Sequence, residues 1–294
     1  MSLPSVGGSW APGTSLPSAR AENAAVAVDG KIYLAGGLDG DGNALDLFEA
    51  YDTATDTWTR LPPLPEARDH FGFSAFDGKL YLTGGSLFFT GAIRDSTWMY
   101  DPAAAKWTAL VPMPAARSQH GSAVLDGKIY VVGGVTRGAN AHELWSFDPV
   151  TGDWRSDLAP LPTEREHLSV VAAGGRLIAI GGRLGRNLGA VEAYDPATNT
   201  WTALPDMPTP RGGMAIGVIG DAIHAAGGEN LDAISTYPQH EVLDVATMTW
   251  AKAPDMLTKR HGLAAAVVDG RWYVLGGGRS AMLSVSNIVE VFTP

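Results

Sequence analysis

Six Gly-Gly doublets, beginning at Gly36, Gly84, Gly133, Gly181, Gly227 and Gly276, divide this chain at steps of 48, 49, 48, 46 and 49 residues. Six tryptophans (Trp10, Trp58, Trp107, Trp154, Trp201, Trp250) keep the same beat. Six arginines (Arg20, Arg68, Arg117, Arg165, Arg211, Arg260) each stand 16 residues before their doublet. Self-similarity at a period near 50 marks a stacked or radial repeat, in which each unit buries its apolar face against the next. That period outweighs the two domains that a length of 294 residues would otherwise suggest.

Each unit reads as four antiparallel strands. After the arginine comes a run of small and β-branched residues, such as Ala24 to Val28, ending in Asp-Gly at Asp29, Asp77, Asp126 and Asp269, and in Gly174-Gly175 and Gly220-Asp221 in the other two copies. These pairs favour a two-residue hairpin with positive φ. A second strand (Lys31-Ile32-Tyr33-Leu34 and its counterparts) runs to the doublet, where absent side chains permit close backbone approach. A third ends in aromatic-Asp, as at Tyr51-Asp52 and Tyr194-Asp195, and a tight turn leads to a fourth that opens on the tryptophan. A tryptophan repeated at that place is expected to pack one sheet on the next.

Two features choose a ring over a linear stack. The position four residues after each arginine is always small (Ala24, Gly72, Gly121, Ser169, Ala215, Ala264), as first strands crowding a common axis require. In addition, Trp10 has no doublet before it, and the last doublet has no tryptophan after it. The N-terminal segment is therefore expected to supply the missing outer strand of the last blade, a three-plus-one closure that removes a free sheet edge. The expected architecture is one all-β, six-bladed propeller over 1–294, with blades near 20–67, 68–116, 117–164, 165–210, 211–259, and 260–294 plus 1–19.

Gly-Gly, aromatic-Asp and Trp at this period resemble the kelch repeat, in all six copies and over essentially the whole chain. A WD40 propeller would show a shorter period and a terminal Trp-Asp. Departures are mild. Leu243 stands for the third-strand Tyr, Phe147 and Phe292 are aromatic substitutes, and His224 replaces the second-strand Tyr. Trp98 and Trp145 occupy the place of Glu49, Glu192, Glu241 and Glu290. The resemblance implies a β-propeller but no single activity, since kelch propellers include adaptors for acidic peptides, a copper radical oxidase, sialic-acid mutarotases and plant proteins directing glucosinolate breakdown. The oxidase cofactor needs a Tyr crosslinked to a Cys, and this chain has no cysteine.

Strand alternation puts the arginines and the variable loops after each doublet on one face, which is the expected working face. The 18 residues in the three positions after each arginine would by chance hold about 0.4 of the seven histidines, yet they hold four: His70, His120, His167 and His261. Glu22, Asn23, Asp69, Gln119 and Glu166 join them. Axial placement would gather these groups around one opening, the best candidate site.

There the six arginines would either bind carboxylates bidentately or stitch blade to blade. The first alternative makes the protein a binding module for an anionic small molecule, a sugar acid or an acidic peptide. The second reading of the same face is a mutarotase- or lyase-like enzyme with His70, His167 and Glu166 as acid–base residues and Arg68, Arg117 and Arg165 positioning substrate. A third is a scaffold that binds a protein partner through the loop rim. In the loops, Arg94, Arg137, Arg183 and Arg186 add charge, Phe88-Phe89 forms an aromatic tip, and Tyr237 to His240 could bring a phenol and an imidazole to the rim.

A net charge of −10 disfavours a broad nucleic-acid-binding surface, and no apolar run reaches a membrane span. Met1 to Gly8 lacks the basic and apolar regions of a signal peptide, and the compartment stays open. Without cysteine, disulfides and thiolate ligands are absent. Asp39 to Asn43 begins like a calcium loop but lacks the required Gly and Glu, having Ala44 and Ala50 instead. A three-histidine metal site from His70, His120 and His167 is conceivable across blades, but the expectation is a monomer with no metal and no cofactor.

Overall fold

The structure, a computed structural model, describes residues 3–294; Met1 and Ser2, the first residues of the expected closing segment, lie outside the described part. Six four-stranded antiparallel sheets follow one another as blades. The first comprises Ala24–Val28, Lys31–Ala35, Phe48–Asp52 and Thr57–Arg60. The last comprises Ala264–Val268, Arg271–Leu275 and Val289–Thr293, completed by Ser9–Pro12 from the other end of the chain. That closing strand pairs Ser9 with Thr293 and Trp10 with Phe292. The innermost strands touch in a closed circle, each against the corresponding strand of the next blade. At Gly121 the crowding is severe, because a Cβ there would lie 2.2 Å from Val170 Cγ2.

The apolar cores lie between blades. Ile32, Leu34 and Tyr51 of the first blade pack on Ala264, Tyr273 and Val289 of the last, and each further pair of neighbours has its own cluster. Polar stitches reinforce them at both radii. On the outer rim, the indole N–H of Trp10, Trp58, Trp154, Trp201 and Trp250 donates to a carbonyl of the preceding blade. Near the axis, the second glycine of each doublet donates its N–H to the carbonyl of the next blade's arginine at 2.8–2.9 Å, and Gly277 to Arg20 closes the circle. The first glycine must stay bare: at Gly36, with φ 55°, a Cβ would come within 2.5 Å of Arg68 O.

The arginine side chains explain their own spacing. The guanidiniums of Arg68, Arg117 and Arg260 donate to the first doublet carbonyl of their own blade, Gly84, Gly133 and Gly276, which is the 16-residue interval seen in sequence. Arg20, Arg165, Arg211 and Arg260 also pair with Glu49, Glu192, Glu241 and Glu290 on the third strand. In the second and third blades tryptophan replaces that glutamate, and the carboxylate comes from elsewhere. Glu66 pairs with Arg68 at 2.8 Å and Glu143 with Arg117 at 2.9 Å, while Arg117 lies 4.1 Å over the Trp145 ring.

His224 and His240 meet at the junction of the last two blades, 2.9 Å apart between Nδ1 and Nε2, amid Trp10, Trp272 and Phe292. His240 is fully buried and does not reach the rim, contrary to the expectation from sequence, and the Tyr237 hydroxyl accepts a bond from Asn230. Burial lowers the pKa of His224 to about 4; burial, then the nearby His224 and Arg211 charges, lower that of His240 to about 3. Both stay neutral in the fold, whereas the unfolded chain takes up protons below about 6.5, so their contribution is full above that pH and is lost as pH falls toward 4. The denaturation midpoint should therefore drop over that window, and His224→Tyr, restoring the residue found at Tyr33, Tyr81, Tyr130 and Tyr273, should make the drop shallower. An unchanged acid profile in the variant would rule out this pair as its source.

Candidate functional site

The residues two places after the arginines form a second closed circle, nearer the axis. Glu22, His70, Gln119, His167, Gly213 and Gly262 all adopt positive φ, between 49° and 64°. Each donates its backbone N–H to the carbonyl of its counterpart in the preceding blade, at 2.8–3.2 Å, and Glu22 to Gly262 completes the ring. Four of these six are not glycine, and such left-handed residues are strained and gather at functional sites. The strain is held by six mutually supporting hydrogen bonds.

This ring sits where two cavities meet. One, of about 190 Å³, follows the axis between the innermost strands; the other, of about 420 Å³, opens among the loops that follow the doublets. Glu22, His70, Gln119 and His167 line both. The mouth cavity adds Arg183, Glu229 and His261 on its polar side, and Phe88, Leu231, Met282 and Leu283 on an apolar side.

The polar groups form one network. His70 Nδ1 lies 2.6 Å from Asp69 Oδ1, and its Nε2 3.3 Å from Glu22 Oε2. His167 Nδ1 meets the Glu166 carboxylate, whose other oxygen is 3.0 Å from Arg183 Nε. Arg183 also reaches Glu229. His261 Nδ1 stands 3.6 Å from both Glu22 and Glu229. The His70 and His167 rings are 4.9 Å apart, edge to face. Burial would lower the His70 pKa, but the Glu22 and Asp69 carboxylates outweigh it and the net shift is upward. Burial, then Arg183 and the other histidines, hold His167 well below its ordinary value. Two adjacent imidazoles with opposite shifts can serve different chemical roles.

Several residues singled out in sequence are elsewhere. Arg20, Arg68, Arg117, Arg165, Arg211 and Arg260 are 0–1% exposed and line neither cavity. Their guanidiniums are engaged inside the blades, a structural role, which corrects the alternative that they form the wall of a ligand funnel. His120 wedges between the second and third blades, with Nε2 3.2 Å from Thr83 Oγ1, and burial followed by the Arg117 charge lowers its pKa to about 3. It lines only the axial cavity, as does Asn23. Asp69 is fully buried and acts through His70. The Asp39 carboxylate is spent on the backbone N–H of Asp41 and Asn43, a turn rather than a calcium loop. Arg94 clamps Glu66.

Glu229, Leu231, Met282 and Leu283 escaped the sequence reading, Phe88 was seen only as part of a loop tip, and Arg183 only as loop charge. The signal was one column away. The residue after each doublet pairs with the residue after each arginine, as Asp69 with Ser86, Glu166 with Arg183 and Gly212 with Glu229. Comparing that column across copies exposes Arg183 and Glu229 as blade-specific charges.

A closed circle of six four-stranded blades with a polar axial mouth defines a β-propeller, a fold that serves as a binding or scaffold module. A family model described as the KLHDC2/KLHL20/DRC7 Kelch-repeats domain matches residues 9–156 and 111–228, and the chain belongs to the kelch-repeat family. No curated protein matches it. Among solved structures, one titled "Structure of YjhT" aligns with a TM-score of 0.83 at 20% identity, covering 96% of this chain and 97% of that one. At that identity the likeness speaks for the fold alone. Among the described residues, no helix is long and apolar enough to cross a membrane.

Proposed function

We propose that this propeller binds a small, hydroxyl-rich molecule of sugar size in the mouth cavity. The observation that carries the reading is the ring of strained residues presenting Glu22, His70, Gln119 and His167 to a cavity of about 420 Å³. That volume suits a small organic ligand, and pockets of this kind pair an apolar wall with a few convergent polar groups. Hydroxyls would bond to the ring side chains while a less polar flank rests on Phe88, Leu231 and Leu283. A free carboxylate fits less well than the sequence suggested. The one guanidinium lining the mouth among the described residues, Arg183, is already shared between Glu166 and Glu229, and Glu22 adds a further carboxylate to the same wall. Recognition of a sugar acid or acidic peptide through the arginine ring loses its donors.

Thermal unfolding against sugars, amino sugars, polyols, sugar acids and dicarboxylates tests this. A ligand present at a hundred times its Kd should stabilise by about 2.7 kcal/mol, a shift of several degrees. Gln119→Ala should remove the shift without unfolding the ring, whose bonds are backbone to backbone. If no sugar or polyol shifts the transition, the reading fails and a protein scaffold acting through the loop rim takes its place.

One observation favours catalysis at the same place: the Asp69–His70 and Glu166–His167 pairs face one another. Imidazoles oriented by carboxylates are acid–base catalysts in waiting. On this reading a sugar's anomers would interconvert faster with the protein than without it, followed by NMR. His167→Ala would abolish turnover, whereas a pure binder shows no acceleration at all.

A further inference from the structure

We propose that Glu22, His70 and His167 hold one divalent transition-metal ion at the propeller axis. Their ligand atoms lie within 4.8 Å of one another, and Glu22 Oε2 and His70 Nε2 already stand 3.3 Å apart. A tetrahedral ion with bonds of 2.0–2.1 Å needs an edge of about 3.3 Å, so a small side-chain rotation completes the set. The site is nearly formed by the fold itself.

The orientation of both imidazoles is the stronger argument. His70 gives its Nδ1 to Asp69, a fully buried carboxylate that also accepts from Ser86 Oγ at 2.5 Å and Phe88 N at 2.9 Å. His167 Nδ1 lies against the Glu166 carboxylate, which Arg183 steadies. In each pair the carboxylate belongs to the residue just before the histidine. His70 Nε2 is thereby left facing Glu22, and in His167 too Nε2 is the nitrogen turned away from the carboxylate contact. A carboxylate behind a histidine is the outer-shell arrangement that fixes the ring and raises its basicity toward a metal.

Two imidazoles and one carboxylate favour zinc or ferrous iron over calcium or magnesium. Three protein ligands leave a coordination position open, and the cavity of about 420 Å³ lies beside it, as in a reactive rather than a purely structural site. The set differs from the three-histidine combination considered in sequence, because His120 is locked between blades and Glu22 replaces it. The site goes beyond the small-molecule reading and does not depend on it.

The test uses the full chain stripped with EDTA. Zn²⁺ binding is followed by calorimetry and Co²⁺ binding by its visible absorption. One equivalent of each should bind, with Zn²⁺ displacing Co²⁺. Glu22→Gln and His167→Ala should each weaken Zn²⁺ binding at least a hundredfold. Asp69→Asn and Glu166→Gln should weaken it about ten- to a hundredfold. His142→Ala, at an exposed histidine, should change nothing. Circular dichroism checks that each variant is folded, and Glu22→Gln preserves side-chain shape. The proposal is overturned if the wild type binds neither ion more tightly than the Glu22→Gln/His70→Ala/His167→Ala variant, or if Glu22→Gln and His167→Ala bind as the wild type does.

Discussion

Arg165→Ala is expected to destabilise the protein by about 3–5 kcal/mol, because it leaves the Glu192 carboxylate buried without its partner. Both side chains are almost wholly withdrawn from solvent, at 0% and 7% exposure, and the same guanidinium donates to Thr163 O and Ala179 O. Losing it strands a charge and two carbonyls together. Arg165→Met combined with Glu192→Leu should recover much of the loss, since an apolar pair of similar volume removes the stranded charge. Arg68→Ala should be milder at its carboxylate, because Glu66 is 38% exposed and keeps Arg94 as a partner. Denaturant unfolding of the three variants measures this ordering. A loss below about 1 kcal/mol for Arg165→Ala would mean that the arginine is not an internal strut.

Trp10→Ala is the second large effect, again about 3–5 kcal/mol. Trp10 lies on the strand that closes the ring, within 5.2–5.6 Å of the rings of Phe292, His240 and Trp272, and its indole N–H donates to Pro254 O at 2.9 Å. Its removal opens a cavity at the only seam where strands from opposite ends of the chain meet among the described residues. Trp58→Ala, at the equivalent place in the first blade, should be milder, since Trp58 is only half-buried and its bond to Thr14 O is 3.3 Å long. The seam should also set the unfolding rate. Equal losses for the two variants would contradict a special role for closure.

The fold was legible because its determinants repeat. The bond from doublet N–H to arginine carbonyl recurs in every blade and the indole bond in five of the six, so the copies of the sequence state one geometry repeatedly. The repetition even hid a compensation: tryptophan replaces glutamate at Trp98 and Trp145, and Glu66 and Glu143 take over from different positions. The site was only half legible. His70, His167, Glu22 and Gln119 stood out as variable residues in a constant frame, and the axis does bring them together. The arginines misled for the opposite reason. Their side chains are spent inside the blades, on the doublet carbonyl for Arg68, Arg117 and Arg260 and on a second-strand carbonyl or third-strand carboxylate for Arg20, Arg165 and Arg211, rather than on a shared ligand. Glu229 sits in a fixed column just after its doublet, legible only by comparison across copies, whereas Leu231, Met282 and Leu283 come from loops of unequal length, where sequence offers no common register. Nor does any local pattern announce left-handed backbone at Glu22 or His70; it arises from hydrogen bonds between residues about 48 apart.

The most direct measurement is a diffraction map of the channel mouth from crystals soaked in Zn²⁺, recorded across the zinc absorption edge. It should show Glu22, His70, Gln119, His167, Gly213 and Gly262 linked head to tail, the six arginine side chains folded into their blades, and one anomalous peak between Glu22, His70 and His167. Guanidiniums turned into the mouth, with the histidines scattered among separate blades, would contradict the account at its root.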